Sequence, residues 1–475
     1  MLLRRFYHES LAQASYMVGC QRTGEALIVD PNRLIDQYIA AVEQEGLRIT
    51  AITETHIHAD FVSGARELAA KTGATLYLSD EGPAEWKYAF ADAANAVLVH
   101  DGDHFMVGNV RIDVMHTPGH TPEHISFLLT DTAASQRPMG IFTGDFVFVG
   151  DVGRPDLLER AAGVANTMDP GARALYRSLL RFRELPDYLQ VWPAHGAGSA
   201  CGKSLGAVPQ STVGYEKLVG WAFQMGSEDE FVTAVLEGQP DPPFYFAQMK
   251  RINKVGPTPR PKGLPALFPS SQLDQEMAAG TIIVDTRSAD EFASAHIPGF
   301  LNIPAGGDFL TWAGWLLPYD KPFALIADDR VLPSAMDDLA AIGLDNVAGY
   351  WRPDIVDAWR GKGREMSTFQ RLTSQEVKPI IERNGIFLLD VRTTSEYAEG
   401  HIHGSRNIPL GHLTQRMTDI PVDRQTIVHC QSGGRSPIAA SLLQAHGHPS
   451  VIERKDGMSG WQANQYPVET KERLS

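Results

Sequence analysis

Thr55-His56-Ile57-His58-Ala59-Asp60 stands at the end of an apolar run, 49–55, that reads as a buried strand. In extended chain, His56 and His58 point to one side, since alternate side chains share a face. Asp60 adds a carboxylate two residues later. Working outward, further acids and imidazoles follow apolar strand-like segments. His116 and the Gly119-His120 turn come after 110–116, Thr143-Gly144-Asp145 closes 139–145, and Pro193-Ala194-His195 closes 189–195. A chain that repeatedly ends strands in metal-binding residue types gathers those side chains at one rim of a sheet. His104, His116 and His124 fall outside this spacing and are read as structural.

The chain has 475 residues, too many for one ordinary core, and about three domains is the prior from length. Hydrophobic residues make up 43% and charged residues 21%, as in soluble globular proteins. The net charge is 42 − 57 = −15 and no basic run interrupts it, so nucleic acid is not expected as a partner. No apolar stretch reaches the about 20 residues of a bilayer span, and the first residues lack the apolar segment of a secretory signal. Three cysteines, Cys20, Cys201 and Cys430, make no disulfide framework. A reducing cytoplasm is the expected compartment, with no membrane partner. A homo-oligomer is expected.

Lys254–Pro265 is rich in Pro and Gly, and 251–265 reads as a linker. Beyond it the sequence repeats. Residues 285–304 align without a gap to 390–409, with ten of twenty positions identical, among them Asp285/Asp390, Arg287/Arg392, Glu291/Glu396 and His296/His401. A spacing near a hundred residues is that of a compact domain. The expected division is 1–250, a linker over 251–265, 266–366 and 367–475. In the second copy an apolar strand ends in Cys430-Gln431-Ser432-Gly433-Gly434-Arg435-Ser436. The first copy has no thiol at the matching place, where Asp328 is aligned.

The cluster His56, His58, Asp60, His120, Asp145 and His195 resembles, in order, the pattern of the metallo-β-lactamase superfamily. Phe61 replaces the last histidine of its first motif, which weakens the case for two metals. The segments 117–121, 142–145 and Gly153-Arg154-Pro155-Asp156 are most similar to the persulfide dioxygenases. That resemblance implies one Fe(II) per chain, held by His56, His120 and Asp145. A two-His, one-carboxylate set leaves positions open for O2 and a substrate sulfur. His58, Asp60 and His195 are then groups that orient the ligands or bound species. Arg154 is a candidate for substrate binding or for a structural ion pair. Cys201, in a Gly-rich loop six residues after His195, could face the substrate or be inert. Cys20 reads as core.

The Cys430 loop, with Asp390, Arg392, Gly400–Gly404 and Asn407–Pro409, resembles the rhodanese sulfurtransferases. Four residues between Cys430 and Arg435 suit a sulfur group better than phosphate. Cys430 is the expected nucleophile. The turn Gln431, Ser432, Gly433, Gly434, a helix start near Ser436 and the Arg435 charge would favour thiolate.

The expected fold is therefore α/β: an N-terminal αββα metallo-β-lactamase-like sandwich, then two rhodanese-like domains with parallel sheets, the first without a catalytic cysteine. The resemblance implies oxidation of a small thiol persulfide by O2 to sulfite. Coupled to it is sulfur transfer between persulfide, sulfite and thiosulfate, a sulfide-detoxifying pair. Two rivals stand beside it: a zinc thioesterase of the glyoxalase II type fused to rhodanese, and a sulfur carrier or sensor with a degenerate metal site.

Overall fold

The computed structural model describes residues 1–160, 166–203, 205–383 and 385–470. By contacts the chain divides into two compact units: Met1–Pro261 with Ala340–Gly343, and Lys262–Leu339 with Leu344–Ser475.

The first unit is built on two six-stranded sheets. One has the spatial order Leu2–His8, Gln13–Cys20, Glu25–Val29, Arg48–Thr53, Thr75–Ser79, Val97–Val99. The other runs Ser211–Thr212, Gln190–Pro193, Gly140–Gly144, Ile125–Asp131, Val110–His116, His104–Val107. Their facing sides bury Val18, Leu27, Val29, Ile112, Phe127, Phe142 and Trp192 in one core. The outer side of the first sheet packs Ile28, Ile49 and Ile52 on residues of the helices Asp36–Gln44 and Ala65–Thr72. The outer side of the second packs Ile141 and Val191 on Leu175, Leu179 and Phe182 of Met168–Arg183. Strands covered on both faces read as continuous apolar runs, and Ile49–Thr53 and Gly140–Gly144 do. The αββα sandwich is thus present. Cys20 ends a strand with both faces covered and is core.

The second unit holds two parallel sheets. Leu301–Asn302, Ile282–Asp285, Phe323–Ile326 and Val347–Trp351 form one. Gln370–Leu372, Val451–Arg454, Gln425–His429, Ile386–Asp390 and Arg406–Asn407 form the other.

Two details differ from the sequence reading. The stretch 251–265 does not open as linker: 251–255 are the last turns of the helix Tyr245–Val255, stopped by Gly256 at φ 100°. The prolines that suggested a linker lie only beyond this stop. The second detail concerns register. Asp390 pairs with His429 in one sheet and Asp285 with Ile326 in the other. The residue after each strand is then Cys430 in one copy and Ala327 in the other. Asp328 lies one position further on, half-buried and bonded to Arg330.

Candidate metal centre and thiol loop

Five loops that leave strand ends meet at one rim of the sandwich. The donor atoms of His56, His120 and Asp145 lie within 4.8 Å of one another, all buried. His120 Nε2 is 3.5 Å and His56 Nε2 4.0 Å from Asp145 Oδ2. Such separations suit one ion with bonds of about 2.1 Å.

Each imidazole is oriented from behind. His120 Nδ1 lies 3.0 Å from the Arg154 carbonyl, which can only accept, so Nε2 carries the lone pair. Thr55 Oγ1 donates to Asp30 Oδ2 at 3.0 Å and therefore accepts from His56 Nδ1, also at 3.0 Å. Again Nε2 faces inward as an acceptor. His195 Nδ1 is 3.1 Å from the Ala12 carbonyl. The Asp145 backbone N–H donates to His124 Nε2 at 3.1 Å, and the His124 ring stacks on that of His56. His124 is thus structural, as expected, but its place is directly behind two ligands. Gly144 has φ 52°, and a Cβ there would fall 2.5 Å from Thr55 Oγ1, so glycine lets the Asp145 loop close on the His56 loop.

The residues present fit a metal. Among the described residues, His56 Nε2 and both Asp145 carboxylate oxygens are buried without a hydrogen-bond partner. Burying such atoms unpaired is costly, and an ion would satisfy all three. Burial, then the neighbouring imidazoles, hold His56 well below its ordinary pKa, so it stays a neutral ligand. Burial also lowers His120.

His58 differs. Its Nε2 is 3.2 Å from Asp30 Oδ1. Burial opposes the charge, but Asp30 prevails and pushes the imidazole up to about 9. An imidazole that holds its proton against Asp30 is engaged away from a metal. Phe61 is fully buried with its ring 4.4 Å from that of His58.

A second donor group lies alongside. Asp60, His195 and Cys201 also lie within 4.8 Å of one another. His195 Nε2 is 3.2 Å from Asp60 Oδ2 and 3.4 Å from Asp145 Oδ1. Although burial opposes it, Asp145 and Asp60 raise His195 well above its ordinary value. Cys201 is buried, and burial with the Asp145 and Asp60 charges pushes its thiol up to about 12. It is therefore present as thiol.

Arg154 is fully buried. It donates to Asp156 through Nε at 2.8 Å and Nη2 at 2.7 Å, and to the Ala200 and Pro240 carbonyls. Of the two roles open from sequence, the ion pair is the one the structure shows. Asp156, two residues on, was the local signal for the pair, whereas the two carbonyl acceptors are remote in sequence.

In the second unit Cys430 is buried at the carboxyl end of Gln425–His429. The Gly433 amide donates to Cys430 Sγ at 3.1 Å, and Ser436 Oγ lies 3.4 Å from the sulfur. Gly433 has φ 89°, and a Cβ there would lie 1.9 Å from the Lys455 carbonyl oxygen. The helix Arg435–Ala445 starts five residues after the thiol, so its positive end faces the loop. Arg435, expected to lend its charge to the thiol, is paired with Glu396 instead, at 2.7 and 2.6 Å. The repeat alignment contained Glu396 but did not show that partnership. Gln431 is fixed by Ser459 and Arg392, while Ser432 and Gly434 are exposed at the loop surface.

Residues 10–195 match the family model of the metallo-beta-lactamase superfamily, and residues 270–350 and 373–464 each match that of the rhodanese-like domain. The solved structure of a metallo-beta-lactamase from Staphylococcus aureus subsp. aureus COL is 43% identical, with a TM-score of 0.67; the match covers 74% of this chain and 99% of that one. That of ETHE1 from Myxococcus xanthus is 26% identical with a TM-score of 0.44, over 54% of this chain and 98% of that one. A hydroxyacylglutathione hydrolase of Rhodospirillum rubrum is 31% identical over 185 residues, 38% of this chain and 60% of the hydrolase. Among the described residues no helix is long and apolar enough to cross a membrane.

Proposed function

The chain belongs to the metallo-beta-lactamase superfamily, with rhodanese-like domains following the metal-binding one, and from that premise we propose a persulfide dioxygenase joined to a sulfurtransferase. The first unit would convert RSSH, O2 and water to RSH and sulfurous acid, which ionises to sulfite. One observation carries this reading. His56, His120 and Asp145 converge while His58 is drawn to Asp30 and Phe61 fills the next position. The set that remains, two histidines and a carboxylate, is the one that suits non-haem Fe(II).

Bound iron would supply the redox chemistry between oxygen and sulfur. The chain's own residues do the rest. Thr55, the Arg154 carbonyl and the His124–Asp145 contact fix the three ligands. His195 Nε2 lies 3.2 Å from Asp60 Oδ2 at the edge of the site, where it would orient bound species. Phe148 stands edge-on to the His195 ring at 6.1 Å, and the buried Phe61 lies against His58.

In the second unit Cys430 thiolate would attack the outer sulfur of thiosulfate. The S–S bond breaks, sulfite leaves with the electron pair, and Cys430 persulfide forms; the reverse yields thiosulfate. The Gly433 amide is placed to stabilise the anionic sulfur. The partners on this reading are a small thiol persulfide, O2, sulfite and thiosulfate, with neither nucleic acid nor membrane.

The second reading is a zinc thioesterase of the glyoxalase II type. The additional group Asp60, His195 and Cys201 favours it, since it could hold a second ion. Product analysis on glutathione persulfide in air tests the proposal. Wild type yields sulfite and thiosulfate, and Cys430→Ser yields sulfite alone. Absence of sulfite from both proteins would overturn it.

A further inference from the structure

A thiol attacks sulfur only after losing its proton. The Cys430 loop offers donors to a thiolate, but the proton also needs an acceptor. His429 is the neighbouring imidazole. It pairs in register with Asp390 and Arg454, so these three side chains share one face of the sheet, with His429 Nε2 3.7 Å from Asp390 Oδ2. Burial, then Arg454, push the His429 imidazole down to about 3, too low for a base at neutral pH. Asp390 is bonded to Arg392, and Arg435 on the loop is bonded to Glu396.

The opposite face carries Glu453, one residue before Arg454. Its Oε1 lies 2.5 Å from Ser436 Oγ, and Ser436 Oγ lies 3.4 Å from Cys430 Sγ. Its Oε2 accepts from Arg371 Nε at 2.8 Å. Arg371 Nη1 in turn donates at 2.7 Å to Asp290, an exposed acid of the copy that has no thiol. Cys430, Ser436 and Glu453 are all buried, so thiol, hydroxyl and carboxyl stand next to one another away from water.

Ser436 has one hydroxyl proton and two neighbours that compete for it. When Glu453 is ionised, Ser436 donates to it and turns a lone pair to the sulfur, which suits S–H. When Glu453 is protonated, its O–H donates to Ser436, and Ser436 donates to a thiolate. Moving a proton from sulfur to carboxyl therefore reverses both bonds and displaces no heavy atom. Burial pushes the Glu453 carboxyl up, with Arg371 opposing, which brings it nearer to a thiol in proton affinity.

We propose that Glu453 accepts the Cys430 proton through the Ser436 hydroxyl. The S–H bond breaks as an O–H bond forms at Ser436 Oγ, and the former Ser436 proton bonds to Glu453 Oε1. Negative charge passes from carboxylate to sulfur, and nothing is oxidised or reduced. Glu453 is a positioning residue, since it reaches the sulfur only through Ser436. The inference rests on the sulfurtransferase reading only in taking Cys430 as the nucleophile.

Alkylation of the full chain by iodoacetamide, read by mass on the Cys430 peptide, tests this in wild type, Glu453→Gln and Ser436→Ala. Between pH 6 and pH 7 the wild-type rate should stay nearly level, because the proton moves within the pair. In both variants the rate should fall about ten-fold from pH 7 to pH 6, because the proton must leave to water. At pH 7 both should react at least about ten-fold more slowly than wild type. A carboxylate that merely stood nearby would repel the thiolate, and Glu453→Gln would then react faster. A Glu453→Gln rate at pH 7 equal to or above wild type would overturn the proposal. Should melting show that this variant does not fold, a level profile in Ser436→Ala would overturn it instead. Thiosulfate–cyanide sulfur transfer separates the two readings. Slowed alkylation in Glu453→Gln with no transfer in wild type keeps the proton path and removes the sulfurtransferase; transfer in wild type with undiminished alkylation in the variant does the reverse.

Discussion

Arg154→Met separates a structural brace from a substrate contact. The guanidinium is wholly buried and gives two bonds to Asp156 and two to carbonyls. Removing one partner of a buried pair costs about 3–5 kcal/mol, mostly from the charge left behind. Arg160 Nε, 3.2 Å from Asp156, still screens that charge, so the low end, about 3 kcal/mol, is expected. For a unit of this size about 2–4 °C accompanies each kcal/mol, hence a fall of roughly 6–12 °C in the melting of the N-terminal unit. Scanning calorimetry reads the shift. Arg154→Met/Asp156→Leu should recover part of it, because no unpaired charge remains. The KM for persulfide of protein still folded should stay at the wild-type value. An unchanged melting temperature with a raised KM would refute the reasoning and return Arg154 to the substrate.

Gly433→Ala should abolish thiosulfate–cyanide sulfur transfer, since a Cβ at φ 89° would lie 1.9 Å from a backbone oxygen; persulfide-dependent oxygen uptake in the first unit should persist. Glu396→Gln should lose stability at neutral pH and match wild type in strong acid. Burial opposes it, but the two Arg435 bonds and Thr393 hold the Glu396 carboxyl at about 2, below its ordinary 4.5. A lowered carboxyl stabilises the fold above its unfolded value, and the gain is lost as pH falls from 4.5 through about 2. Guanidinium unfolding of both proteins at pH 7, 4 and 2.5 should show the difference shrinking.

The two-layer architecture and the six clustered residues were legible because each ligand closes an apolar strand, and strand ends share a rim. The repeat exposed the twin parallel sheets for a similar reason: 285–304 and 390–409 each hold a strand end and the turn after it. What stayed hidden depends on partners far apart in sequence. Asp30 reads as a turn residue before Pro31, yet it anchors both Thr55 and His58. His124 lies outside the ligand spacing, and only folding sets it against Asp145. The side chains of Arg154 and Arg435 looked available until the remote Ala200 and Pro240 carbonyls and Glu396 took them. Register decided Ala327 over Asp328, which a gapless alignment cannot do when the strand ends shift.

On the proposed function the metal site is mononuclear and redox-active. Metal analysis of protein reconstituted without air, followed by oxygen-electrode recording on addition of a persulfide, tests it directly. One iron per chain and one O2 consumed per persulfide are the expected result. Two zinc ions per chain with no oxygen uptake would contradict it.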